Sequence, residues 1–157
     1  MSLTVGQKAP DISLADQGGK IHNLKNYQGK WVVVYFYPKD DTIGCTKEAC
    51  NFRDNYKTLQ QKNIVVLGIS KDSMESHQTF AKKYQLPFPL LSDPEKITIE
   101  EYQAWGAKKF LGKSFEGIKR KSVLINPQGL ITKIYQNVRP IKHAEKIIND
   151  VENLTNQ

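Results

Sequence analysis

Trp31-Val-Val-Val-Tyr-Phe-Tyr-Pro38 is the stretch on which the fold turns. It is β-branched and aromatic and apolar on both faces, so it predicts a central strand covered from both sides. Pro38 ends it. Beyond it, Pro38, Thr42 and Gly44 are turn-forming residues. From there Cys45, Ala49, Phe52, Tyr56 and Leu59 recur at helical spacing, which predicts a helix running to about Gln61. A strand that turns into a helix at Cys45 is the first element of the fold and the first hint of a site.

Further along, Ile64-Val-Val-Leu-Gly-Ile-Ser70 predicts a second buried strand, and Ser73 to Tyr84 a helix with Ser73 as its N-cap. Pro87 to Leu91 predicts a short strand. Ser122 to Asn126 and Leu130 to Tyr135 flank Pro127-Gln-Gly129, a turn signal, and predict an antiparallel pair. A last helix is expected from about Pro140, with Ile141, Ala144, Ile147, Ile148, Val151 and Leu154 on one face. Before the central strand, Asp11 to Leu14 and Lys20 to Asn23 surround Asp16-Gln-Gly-Gly19 and predict a hairpin. Lys113 to Lys121 is expected to be a mobile loop. This order requires a parallel pair with a crossover helix and an antiparallel edge. The predicted fold class is α/β and thioredoxin-like, a mixed central sheet flanked by helices. Residues 1–157 are expected to form one domain.

With 39% hydrophobic and 25% charged residues the chain reads as an ordinary globular protein. Its start lacks a signal-peptide pattern, and no apolar run is long enough to span a bilayer. A cytoplasmic location is expected, with no membrane partner. Two cysteines are too few and too close for a secreted disulfide scaffold. The net charge of +7 raises the question of nucleic acid, but no zinc finger, RRM-type or helix-turn-helix signature accompanies it. The densest basic stretch, Lys108 to Lys121, reads either as a solvated loop or as a docking surface for an acidic partner.

Cys45 and Cys50 carry the chemistry. A helix start offers unpaired N–H groups and a positive dipole end, and both favour a thiolate, the nucleophilic form of cysteine. The mouth of a central strand is also where open α/β sheets place their sites. The spacing is not the Cys-x-x-Cys of disulfide reductases, and there is no second cysteine pair for a zinc site. His22, His77 and His143 are scattered, so a cysteine–histidine hydrolase has little support. His77 reads as a surface residue on a helix, and Tyr27 and Trp105 as core aromatics.

Pro38-x-x-x-Thr42-x-x-Cys45 resembles the active-site motif of the peroxiredoxins, thiol-dependent peroxidases. Cys50 resembles the resolving cysteine of their bacterioferritin-comigratory-protein, or PrxQ, subgroup. The resemblance extends over Gly29 to Pro38, Gly44 to Cys50, Gly68 to Asp72 with His77, Pro87 to Asp93 and Gly117 to Ile125. It departs at Ile43, where many members carry proline. The resemblance implies that Cys45 is the peroxidatic cysteine and Cys50 its resolving partner. It further implies that Thr42 hydrogen-bonds the peroxide, Pro38 shields the pocket, Arg120 holds the thiolate and Glu48 orients Arg120. Without the family pattern Arg120 would read as one more exposed cation.

The implied activity is reduction of hydrogen peroxide and organic hydroperoxides, with recycling by thioredoxin or a similar dithiol. No metal, haem, flavin or other cofactor is called for. No nucleic-acid partner is expected, and the family pattern favours a monomer. The rival class is a redox-switched sensor or nucleic-acid-binding module without turnover.

Overall fold

A computed structural model of the chain describes residues 3–156. Its centre is a five-stranded sheet in the order β5-β4-β3-β8-β9. These strands are β3 (Trp31–Phe36), β4 (Ile64–Ser70), β5 (Leu90–Ser92), β8 (Lys121–Ile125) and β9 (Ile131–Tyr135). β3 pairs in parallel with β4, and β4 with β5. β8 runs antiparallel to both β3 and β9. The expected mixed, thioredoxin-like sheet is present, with Trp31–Phe36 in its middle.

Both faces of β3 are covered, as its composition requires. Val33 and Tyr35, with the following Tyr37, face a cluster that includes Ala49, Phe52, Leu59, Phe80, Ala144, Ile147 and Val151. Val32, Val34 and Phe36 face the opposite cluster, with Ile12, Leu67, Ile69, Ile99 and Tyr102. The period-two alternation of a strand thus divides one continuous apolar run between two cores.

The helices are α1 (Ile43–Asp54), α2 (Tyr56–Gln61), α3 (Met74–Tyr84), α4 (Ile97–Glu101) and α5 (His143–Thr155). The single helix expected over Cys45 to Gln61 is two, broken at Asn55 (φ −104°, ψ 6°), whose side chain bonds back to Asn51 O. Ser73 caps α3 by accepting from Ser76 N–H at 3.1 Å. Ile141, expected on the buried face of the last helix, precedes α5 and is 61% exposed. α4 was not foreseen. The N-terminal hairpin is present as the short pair β1 (Leu14–Ala15) and β2 (Ile21–His22).

The largest departure lies in the basic stretch. The expected loop is a hairpin, β6 (Trp105–Phe110) and β7 (Lys113–Ile118), turning at Leu111 (φ 52°) and Gly112 (φ 79°). Two consecutive positive φ values are the requirement of a tight two-residue hairpin turn, and glycine meets it without strain. Lys121, counted in the same basic stretch, is 2% exposed and donates to Gln103 O. Among the described residues no helix is long and apolar enough to cross a membrane.

Candidate active site

Cys45 is the third residue of α1, and Thr42 is its N-cap. The first bond of the helical ladder runs from Thr46 N–H to Thr42 O, at 2.8 Å. The N–H groups of Ile43, Gly44 and Cys45 therefore lie in the unpaired first turn, the positive end of the helix. Ile43 occupies the first helical position and is 79% exposed. Proline is common there because its missing N–H would be unpaired anyway, and isoleucine leaves the helix start intact.

The Cys45 thiol is buried, and Arg120 reaches it from the connection between β7 and β8. Arg120 Nη2 donates to Cys45 Sγ at 3.5 Å, and Nη1 donates to Glu48 Oε1 at 2.8 Å. Cys45 and Glu48 lie three residues apart on α1 and so share a face. Gly44 leaves room for this approach, since a Cβ there would stand 3.0 Å from Arg120 Nη2. Burial tends to discharge the guanidinium, but Cys45 and Glu48 more than offset that and hold its pKa above the ordinary arginine value.

Glu48 is fully buried, and its Oε2 has no hydrogen-bond partner among the described residues. Burial pushes its carboxyl up to about 7 against the opposing pull of Arg120. A carboxyl raised in the folded state adds stability that is complete below its unfolded value and fades as pH rises through the folded one. Glu48→Gln removes that dependence. Urea unfolding of both proteins should therefore show the stability of wild type relative to Glu48→Gln falling between pH 4.5 and 7. A constant difference across that range would mean Glu48 keeps an ordinary carboxylate pKa. His143, lowered to about 4 by burial, contributes in the opposite sense and is common to both proteins, so it drops out of the difference.

Cys50 also lies on α1, half-buried and unbridged. Burial pushes its thiol up, with Arg53 opposing and Asp54 reinforcing. In an unbroken helix residues five apart have Cα atoms roughly 8–9 Å apart. A disulfide needs about 4.4–6.8 Å. The two sulfurs therefore cannot join while α1 is intact. Thr42 is exposed, and its hydroxyl donates to Lys39 O at 3.0 Å. Pro38 is half-buried at the end of β3.

The loop carrying Pro38 and Thr42 is anchored by a network that the sequence reading missed. His77 is not a surface residue: it is fully buried. Its Nδ1 lies 2.7 Å from Asp40 Oδ2, and its Nε2 lies 3.1 Å from Leu91 O. Leu91 O can only accept, so Nε2 carries a proton. Asp40 also accepts from Tyr37 OH (2.6 Å) and Ser76 Oγ (2.8 Å), while its N–H donates to Asp72 Oδ2 (2.9 Å). Asp40, Asp72 and His77 bring potential metal ligands within 4.8 Å of one another, but these groups are engaged in tying the loop to α3 and β4. A second tie runs from Asp41 to Lys83 Nζ (2.7 Å) and Tyr84 OH (2.8 Å). The available signal is Gly68 to Asp72 with His77, which forms part of the family resemblance although His77 itself reads as a solvent-facing helix residue.

The far end of α1 is held as well. Asn51 Oδ1 accepts from Ala144 N–H at 2.8 Å, and Asn51 Nδ2 donates to Glu145 Oε1 at 2.7 Å. Arg53 donates to Tyr84 O at 2.7 Å. His22 and His143 lie elsewhere, against Asp16 and Ser122. Tyr27 and Trp105 are partly buried and pack on the second cluster.

A cysteine in the first turn of a helix, a guanidinium on its sulfur and a second thiol on the same helix define, on this sheet, a thiol-dependent redox protein. The model of the AhpC/TSA family matches residues 5–134. A Coxiella burnetii protein described as a putative peroxiredoxin bcp is 46% identical, covering 94% of this chain and 98% of its own. Peroxiredoxin Bcp of Bacillus subtilis is 39% identical and covers 99% of both chains. Among solved structures, a cysteine-to-serine mutant of Xylella fastidiosa PrxQ superposes with a TM-score of 0.89 at 30% identity, covering 99% of both chains. Xanthomonas campestris bacterioferritin comigratory protein, described for alkyl peroxide reduction, superposes at 0.85 with 31% identity and 91% coverage of each. The chain belongs to the AhpC/TSA family and, within it, to the Bcp/PrxQ peroxiredoxins.

Proposed function

We propose that the chain reduces hydrogen peroxide and organic hydroperoxides through Cys45, with Cys50 as resolving thiol and a thioredoxin-type dithiol as reductant. The observation that carries this reading is the guanidinium of Arg120 on Cys45 Sγ, backed by buried Glu48.

In the proposed cycle the Cys45 thiolate attacks one peroxide oxygen. The O–O bond breaks, an S–O bond forms, and the departing oxygen takes a proton to leave as alcohol or water. Cys45 is left as a sulfenic acid. Arg120 is permanently charged and presents several N–H donors, so it can hold the sulfur while stabilising the departing oxygen. The Thr42 hydroxyl proton is committed to Lys39 O, which leaves its lone pairs to accept from the peroxide O–H. Pro38, between β3 and the loop, limits water around the sulfur. Cys50 then attacks the Cys45 sulfur, water leaves and the disulfide forms. Two electrons from the external dithiol restore both thiols. Since the intact helix keeps the cysteines apart, the second step requires local unwinding of α1. A monomer working in the cytoplasm suffices for this cycle.

The test is mass spectrometry of protein treated with one equivalent of peroxide. A peptide bridged Cys45 to Cys50 within one chain is expected. A bridge between two chains, or no bridge while peroxide is consumed, would overturn the assignment of Cys50.

A further inference from the structure

We propose that the tip of the β6–β7 hairpin is a docking element for anionic membrane surfaces. The tip gathers three exposed large apolar side chains: Phe110 is 67% exposed, Leu111 86% and Phe115 48%. No acidic residue occurs from Tyr102 to Phe115, whereas Lys109 and Lys113 flank the turn and are exposed. The pairing Phe110↔Lys113 and Lys108↔Phe115 puts both phenylalanines and Lys113 on one face of the hairpin. Leu111 stands at the turn itself.

Exposed aromatic and aliphatic side chains beside lysines match the boundary of a bilayer. The apolar groups enter the acyl edge while the ammonium groups stay among phosphates. The shape argues in the same direction. A two-residue turn on a two-stranded ribbon is a convex wedge. A lipid surface closes around such a wedge without a preformed groove, whereas a protein partner would need one. A second copy of the chain is disfavoured because each tip, on a chain of net charge +7, would repel its counterpart. The sequence predicts no membrane partner because no apolar run spans a bilayer, but a peripheral tip leaves no such run.

The hairpin also ties this surface to the site. Lys108 and Lys109 on β6, with Lys119 and Arg120 just beyond β7, line an open cleft of about 640 Å³. The hairpin whose tip would meet lipid therefore has Arg120 at its base, just beyond the last pair Trp105↔Ile118. Lys108, whose amine is turned back onto Ile118 O at 2.8 Å, is not counted among the docking charges.

The experiment is cosedimentation of the reduced protein with phosphatidylcholine vesicles and with vesicles containing about a third phosphatidylglycerol, without peroxide, so that the result is independent of Cys45 chemistry. Binding to the anionic vesicles alone is expected, and it should weaken with added salt. Lys109→Gln with Lys113→Gln should weaken it roughly 20- to 30-fold, about five-fold per lysine. Phe110→Ser with Leu111→Ser should reduce it to the level seen with phosphatidylcholine. All four positions are exposed, so the oxidation of Cys45 by hydrogen peroxide in solution, followed without any reductant protein, should be unchanged. Failure of the wild type to sediment with anionic vesicles would overturn the proposal, as would equal binding by the Phe110→Ser, Leu111→Ser protein. If the tip variant keeps its vesicle binding but loses saturation by an acidic dithiol protein, the tip serves that protein and not lipid.

Discussion

Cys45→Ser should abolish peroxide turnover, while Cys50→Ser should complete one oxidation at an undiminished rate and stop. The asymmetry follows from position on one helix. Cys45 lies in the unpaired first turn with Arg120 on its sulfur. Cys50 lies more than a turn further on, where burial raises its thiol and the opposing pull of Arg53 does not offset it. Stopped-flow oxidation followed by trapping with a sulfenic-acid-specific nucleophile separates the two outcomes. The Cys50→Ser protein should carry the trapped adduct on Cys45 and the Cys45→Ser protein none. Oxidation of Cys45→Ser at the wild-type rate would transfer the nucleophile's role to Cys50.

The second large effect is expected at Arg120. Arg120→Met keeps much of the side-chain volume but removes the donor to Sγ and the partner of Glu48. Loss of a donor aimed at developing negative charge costs on the order of 100- to 1,000-fold in rate. A loss of that size is expected in the second-order oxidation of Cys45. Glu48 supplies an internal control. With Arg120 gone, burial acts unopposed on Glu48, so its carboxyl is driven further toward the neutral form. Adding Glu48→Gln to Arg120→Met should therefore cost little more in rate, whereas Glu48→Gln alone should slow the reaction by misplacing Arg120. Equal and additive losses from the two changes would indicate independent roles and count against the shared geometry.

Much of this architecture is legible in the sequence because the central strands are covered on both sides. Trp31–Phe36 and Ile64–Ser70 leave apolar runs that nothing else in the chain imitates. The β6–β7 hairpin does not declare itself in the sequence because most of its residues are exposed, so no buried face imposes alternation. Its one local signal was Leu111-Gly112 at the turn. α4 has five residues, too few for a helical period to repeat. The break at Asn55 is hidden because Leu59 continues the apolar stripe of α1 across it. His77 was misplaced for a different reason: its partner Asp40 lies 37 residues away, and a polar residue on a helix gives no sign of a buried mate. The site itself divides in the same way. The two cysteines are local to one helix, so residue chemistry points to them, whereas Thr42 reads from the sequence as a turn former and takes its site role only from the family motif. Arg120 lies 75 residues from Cys45, and only the family resemblance singled it out among the cations around it.

The ties at the two ends of α1 have a consequence for what an oxidation event can tell the rest of the molecule. Asp40 and Asp41 are pinned to α3, and Asn51 to the start of α5. Cys50 immediately precedes the second pin, so in the proposed cycle it is the stationary post and Cys45 the travelling end. These pins are expected to hold both boundaries while α1 unwinds between them, so that little displacement is handed on to α5 or to the far face of the sheet and the redox change is insulated. Amide exchange should rise between residues 42 and 50 on oxidation and stay level beyond Asn51. Such a chain suits repeated turnover and makes a poor relay, which weighs against a redox sensor that must transmit its state to a distant surface.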